Sequence, residues 1–287
     1  MSLRIVPVNF IDPEHCADLA VTSEASSSFA VKNLQSNVRD DVWRSTNLDA
    51  QVITGTFGGN ARQISHLSIW PADGSSLIGA TVAVRMWSDV AQTTLVRNVA
   101  ATNFFTFTGD NWNEFLWGIQ GWGVDNDDRT ARLAPFATWF APVAVSAFEI
   151  TIANAGAVDT PYFEARRIVM GDYVQAPYNA AYGAAPQWRP GAKLRRTVGG
   201  ALRRLARQSW RELRFETYFA TEADRSAWAD LMYACDPAKE IVISLFPAHA
   251  TPKVERDFTV LGSLEALNPI VFEHHNFHRL QLAITES

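Results

Sequence analysis

Residues 80–87 read Ala-Thr-Val-Ala-Val-Arg-Met-Trp, and this alternation constrains the fold more than any other feature of the chain. Val82, Val84 and Met86 alternate with Thr81, Ala83 and Arg85, the period of two of a strand that buries one face. Similar short runs recur: Leu3–Val8, Gln51–Phe57, Gln63–Trp70, Thr94–Val99, Phe104–Thr108, Thr138–Phe140, Ala147–Ile152 and Ala165–Met170. Polar turn formers separate them, as in Gly58-Gly59-Asn60, Pro71-Ala72-Asp73-Gly74, Asp125-Asn126-Asp127-Asp128 and Asn154-Ala155-Gly156. No long amphipathic helix interrupts the series. Many short strands joined by polar turns predict a β-sandwich or jelly roll over residues 1–175.

The pattern then changes. Residues 176–191 hold Pro177, Gly183, Pro186, Pro190 and Gly191 without periodicity, which predicts a linker. Beyond it, Lys193–Val198 and Ala201–Arg204 flank Gly199-Gly200, a pair that supplies the positive φ angles a two-residue hairpin needs. Leu213, Phe215, Thr217 and Phe219 alternate as a strand. Thr221 and Asp224 resemble a capping box, and Trp228, Leu231, Met232 and Cys235 follow at helical spacing until Asp236-Pro237. Glu240–Phe246, Val254–Leu261 and Ile270–Thr285 predict three further strands. Residues 192–287 thus predict an α+β split barrel or sandwich with one helix, and the chain as a whole is mainly β.

A length of 287 residues accommodates about two domains. With 47% hydrophobic and 19% charged residues, the chain can build full cores. Its ten tryptophans, seven of them within the first 140 residues, supply large flat surfaces for cores or partners. No run of about 18 apolar residues predicts a membrane-spanning helix. The opening MSLRIVPVNF lacks the pattern of a secretory leader. Cys16 and Cys235 match no zinc or redox spacing, so a reducing compartment and no disulfide are expected.

Charge is uneven. Trp188–Phe215 carries nine basic residues (Arg189, Lys193, Arg195, Arg196, Arg203, Arg204, Arg207, Arg211 and Arg214) against Glu212 alone, a local +8. With −5 overall, the remainder carries −13. Such a window fits a subunit interface first, and a solvated face or nucleic-acid binding after it.

Ser26-Ser27-Ser28-Phe29-Ala30-Val31-Lys32-Asn33-Leu34, followed by Asp41-Val42-Trp43-Arg44-Ser45, the strand Gln51–Phe57 and Arg62–Ile69, resembles the galactose-binding-like, discoidin-type jelly roll of many tailed-phage structural proteins. Asn179–Gly183, Arg195–Gly200, Trp210, Leu213-Arg214-Phe215 and the helix from Thr221 are similar in order to the distal-tail and tube-like split barrels of siphophage baseplates. The resemblance implies a virion protein of the tail tip or baseplate, made in the host cytoplasm. It implies other tail proteins as partners and a homo-oligomeric ring, trimer or hexamer. No calcium or sugar site carries over residue by residue.

Individual candidates have bland readings beside the functional ones. Glu273-His274-His275-Asn276-Phe277-His278 suggests a metal, but on one continuous strand His275 points away from His274 and His278. Asp125–Asp128 crowds oxygen ligands but lacks the spacing of a calcium loop, so a solvated turn is favoured. Trp112, Trp117 and Trp122 lie among Gly118, Gly121 and Gly123, a loop context that favours protein contact over a buried plug or a glycan. Trp43 and Trp87 sit in strand patterns and are expected in the core. No nucleophile elbow, zinc helix, P-loop or dinucleotide fingerprint is present, and no enzyme or cofactor is expected. The expected interface residues are Arg195, Arg196, Arg203, Arg204, Arg207 and Arg211 with the three loop tryptophans. The expected function is a structural tail-tip or baseplate component. The alternative is a carbohydrate-binding receptor module that engages a host-surface glycan.

Overall fold

A computed structural model describes residues 2–58, 60–72, 77, 79–104, 135–154, 160–181, 183–191, 193–196, 202–205, 209–219, 221–235, 239–249, 252–266, 269–274 and 277–287. The chain divides into two units, Asn9–Asp172 and Met1–Val8 together with Tyr173–Ser287. The first strand, β1 (Arg4–Val6), therefore belongs with the C-terminal residues rather than with the sandwich expected over residues 1–175.

In Asn9–Asp172 the strands are β2 (Ala20–Val21), β3 (Trp43–Arg44), β4 (Gln51–Thr56), β5 (Arg62–Trp70), β6 (Ala80–Trp87), β7 (Leu95–Asn103), β8 (Phe136–Val145), β9 (Ala147–Asn154), β10 (Glu164–Ala165) and β11 (Arg167–Gly171). One sheet runs β2-β4-β9-β6-β7, a second runs β11-β5-β8, and β10 pairs with β3. Period two explains the burial. Ile53 of β4, Val82, Val84 and Met86 of β6, and Phe148, Ile150 and Ile152 of β9 share one core with Ile64, Leu67 and Ile69 of β5 and Ile168 and Met170 of β11. Each such side chain contributes about 1.5–3 kcal/mol when taken fully out of water. Trp43 and Trp87 are both buried, as their strand positions predict. Gly55 sits where a Cβ would lie 2.6 Å from the Phe148 ring and 2.9 Å from Cys16 Sγ, so this closely packed strand position needs glycine.

Polar cross-links hold the segments outside the sheets. The Gln35 amide donates to the Ile11 and Cys16 carbonyls at 2.6 Å each, tying the 3-10 turn Val31–Gln35 to the segment before β2. Arg167 Nη2 donates to Asp12 at 2.7 Å and to Asn37 at 2.8 Å. Burial pushes the Asp12 carboxyl above its ordinary range, and the neighbouring Arg167 only partly offsets this.

Among the described residues the second unit is built on one eight-stranded sheet. Its strands are β1, β12 (Val174–Gln175), β13 (Ala185–Arg189), β16 (Trp210–Phe219), β17 (Ile241–Ser244), β18 (Thr259–Leu264), β19 (Val271–His274) and β20 (Phe277–Glu286), while β14 (Lys193–Arg196) and β15 (Leu202–Leu205) pair with each other. The sheet order is β12-β1-β17-β18-β20-β16-β13, with β19 also on β20. Among the described residues the end strands β12 and β13 are not paired to each other. Helix α1 (Glu222–Ala234) covers it with Trp228, Leu231 and Met232, which join Phe219, Leu280 and Leu282 in the core. Thr221 caps α1 by accepting from the Asp224 backbone N–H at 3.1 Å. Asp224 is too short to close the expected box on the backbone, and its carboxylate accepts from the Thr221 hydroxyl at 2.6 Å instead.

Three expectations need correction. Part of the expected linker is β13, paired along Ala185–Arg189 with Arg214–Trp210; an edge strand tolerates Pro186 because one side of its backbone needs no ladder donor. The strand expected over Val254–Leu261 begins as a second helix, α2 (Pro252–Asp257), which proline can start because its missing N–H is not needed there. The single strand expected over Ile270–Thr285 is a hairpin, β19 and β20, with Phe272 opposite His278 and His274 opposite Phe277.

Candidate functional site

The first candidate lies in the sandwich unit, around Arg44. Short strands β3 and β10 set Arg44 opposite Glu164, and Arg44 Nε and Nη2 donate to the same Glu164 oxygen at 2.7 and 2.5 Å. The guanidinium lies 4.1 Å from the Phe29 ring centre and 4.3 Å from that of Tyr162. Phe29 ends the 3-10 turn Ser27–Phe29, and Asn33 holds that turn by donating to the Ser28 and Val42 carbonyls at 2.8 Å each. Ser45 fixes the other side: its backbone N–H donates to the Phe163 carbonyl at 3.0 Å and its hydroxyl accepts from the Phe163 N–H at 2.9 Å.

The result is a positively charged plane in contact with two aromatic rings. Cation–π attraction contributes about 0.5–1 kcal/mol per exposed contact and more where water is excluded. Arg44 keeps 28% of its side chain exposed and Glu164 10%, and both rings are half-buried. Aromatic edges beside a fixed guanidinium and a carboxylate combine an apolar surface with donors and acceptors. Ligands with alternating C–H and O–H groups fit that combination. The Phe29 and Arg44 segments carry the jelly-roll resemblance, but sequence reading assigned neither residue a role and did not single out Tyr162 or Glu164. No local pattern links positions separated by more than a hundred residues.

The second candidate is the basic window. Arg211, expected at an interface, is instead 5% exposed. Its Nη2 donates to Glu286 at 2.7 Å, its backbone N–H donates to the same carboxylate at 2.8 Å, and its guanidinium also reaches the Arg256 carbonyl. Arg189 donates to Glu212 at 2.6 Å, and Arg214 bonds Glu212 and approaches Glu265 at 3.6 Å. These hydrogen bonds hold the Glu212 carboxyl below its usual range, Arg189 more than Arg214. Strand pairing thus brings acids from β16, β20 and the loop after β18 to three of the nine cations, which the linear charge count could not show.

The strands expected on either side of Gly199-Gly200 do pair, but their register is centred on Gly199 and not between the two glycines as a two-residue turn requires, and residues 197–201 lie outside the described residues. The register pairs Lys193 with Leu205, Leu194 with Arg204, Arg195 with Arg203 and Arg196 with Leu202. Arg196 is exposed, and Leu202 is 50% exposed. Arg207, Trp112, Trp117, Trp122 and the Asp125–Asp128 turn lie outside the described residues. In the histidine-rich segment, His278 is buried, faces Phe272 at 5.1 Å between ring centres, and lies 3.5 Å from Glu222. Among the described residues no three His, Cys, Asp or Glu side chains gather as metal ligands. Both thiols are buried, which pushes Cys16 up to about 11 and Cys235 up to about 12. Trp188, at 51% exposed, stands on edge strand β13. No helix among the described residues is long and apolar enough to cross a membrane.

Comparison with known proteins matches no family model and no curated protein. Solved structures similar to the chain include the chitosan-binding module 1 of a chitosanase/glucanase from Paenibacillus sp. IK-5, at 14% identity and a TM-score of 0.39, covering 57% of this chain and 99% of that one. A second is the family 32 carbohydrate-binding module of C. perfringens NanJ in complex with galactose, at 13% identity and a TM-score of 0.38, covering 60% of this chain and 99% of that one. A third is a module of a Clostridium perfringens protein in complex with GalNAc-β-1,3-galactose, at 12% identity and a TM-score of 0.37, covering 54% and 94%.

Proposed function

We propose that the chain is a non-catalytic recognition protein whose sandwich unit binds carbohydrate. The observation that carries this reading is the Phe29–Arg44–Tyr162 stack anchored by Glu164. A sugar ring has an apolar C–H face and a polar rim. The stack offers ring surface for the first and a guanidinium and carboxylate for the second. It is preorganised by strand pairing and by the Asn33 and Ser45 bonds, so little ordering entropy opposes binding. The test is a glycan array probed with the full chain. Saccharide binding that Tyr162→Ala abolishes supports the reading, and an array without saccharide binding sinks it.

A second reading rests on a different observation, the basic β14–β15 hairpin. In that reading the chain is a structural component of a phage tail tip or baseplate, present in the virion as a homo-oligomeric ring and bracing neighbouring tail proteins. The two readings are compatible, because they draw on different units of the chain. Particles reconstituted with Arg203→Glu and Arg204→Glu should lack this protein. Full incorporation of that variant would remove the hairpin from the assembly.

A further inference from the structure

Arg44 meets Glu164 along one edge of its guanidinium. Nε and Nη2 both donate to the same Glu164 oxygen, at 2.7 and 2.5 Å. A guanidinium carries five N–H donors in a planar fork and no acceptor, so this pairing leaves the Nη1 end of the fork unspent. Among the described residues nothing accepts from Nη1. Nor is Nη1 one of the buried polar atoms that lack a partner, so solvent reaches it.

The fork is held in place before any ligand arrives. The pairing of β3 with β10 fixes its Glu164 edge, and the Phe29 and Tyr162 ring centres lie 4.1 and 4.3 Å from the guanidinium carbon. The polar surface that the stack shows to a ligand is mainly donor, because Arg44 keeps 28% of its side chain exposed against 10% for Glu164. A donor edge is matched best by a group that only accepts. A carboxylate offers two oxygens to the fork, in charge-assisted bonds roughly twice as strong as those to a neutral hydroxyl. On separate edges, the incoming carboxylate and Glu164 are kept apart by the guanidinium between them.

We infer that the Arg44 stack takes the carboxylate of an acidic saccharide, a uronate or a sialate, on the Nη1 end of the guanidinium, with the sugar ring on the aromatic surface beside it. This inference rests on the carbohydrate reading and adds to it the class of saccharide.

Calorimetric titration of the full chain near neutral pH tests it, with two matched pairs of probes: trigalacturonate and its methyl ester, and sialyllactose and lactose. The wild type should bind at least one acid about tenfold or more tighter than its neutral counterpart, and the pair that responds tells a uronate from a sialate. Arg44→Gln combined with Glu164→Gln removes both charges together, so no lone charge is left in the site, and the preference should disappear. The probe pairs need no variant, so they decide the point even where the double variant melts early. Equal affinity for acid and neutral forms, or binding confined to neutral saccharides on the glycan array, overturns the inference and leaves the carbohydrate reading standing. A preference for the acid that survives in the folded double variant also overturns it, because the carboxylate then sits elsewhere. Binding of no saccharide at all overturns both.

Discussion

Arg44 and Glu164 meet across 120 residues of chain, two guanidinium nitrogens donating to one carboxylate oxygen at 2.7 and 2.5 Å. The pair joins β3 to β10 and fixes the plane against which Phe29 and Tyr162 stack. Glu164→Ala should therefore destabilise the sandwich by about 1–3 kcal/mol, because it leaves a partly buried cation without its charge-assisted bonds. A urea titration reads the loss. A double-mutant cycle with Arg44→Ala should return a favourable coupling, and strict additivity would contradict the pairing.

The two thiols should be silent in the folded protein. Both are buried, and a thiol pushed up to about 11 or 12 presents almost no thiolate at pH 8. A chromogenic thiol reagent should label none of the two before denaturant is added and both afterwards. Rapid labelling of the native chain would place one of them at the surface.

Glu212 should make the C-terminal unit acid-sensitive. Arg189, and then Arg214, hold its carboxyl below the ordinary 4.5. A carboxyl lowered on folding stabilises the native state above its unfolded value, and that stabilisation is lost as pH falls from about 4.5 through the lowered value. Glu212→Gln should thus lower the thermal midpoint at pH 7, and the difference from wild type should shrink as pH falls below about 4.5. Asp12 has the opposite sign. Its raised carboxyl favours the folded state below 3.8, and that part is lost as pH rises through the folded value. Thermal melts across pH of wild type, Glu212→Gln and Asp12→Asn separate the two.

Gly262 should tolerate no side chain. An added Cβ would lie 2.1 Å from the Thr285 carbonyl oxygen, and this neighbour is backbone of the paired strand β20. Gly262→Ala should cost about 1–3 kcal/mol or more, the scale of overpacking in a filled core. Chemical denaturation of the variant, with unchanged stability as the contrary result, checks this.

Much of this architecture was legible because period two marks a strand wherever it stands. Ala80–Trp87 is identical in pattern and in structure. Partners were not legible, because alternation names a face and not a neighbour. Thus Arg4–Val6 reads as the first strand of the sandwich yet pairs with β12 and β17. Proline punctuation hid β13, since Pro186 marks an edge as readily as a linker. Local charge counting misplaced Arg211, whose acid, Glu286, lies 75 residues away. The same limit hid the Arg44 stack, assembled from Phe29, Tyr162 and Glu164 by tertiary pairing. The pairing of β14 with β15 was legible because its strands are adjacent in sequence, although its register differs by one residue from the two-residue turn that Gly199-Gly200 suggests.

The most direct test of the carbohydrate reading is binding of the full chain to a glycan array, repeated with Tyr162→Ala and Phe29→Ala at matched thermal stability. The account predicts saccharide binding by the wild type and its loss in both variants. Equal binding by all three, or none by the wild type, would contradict it.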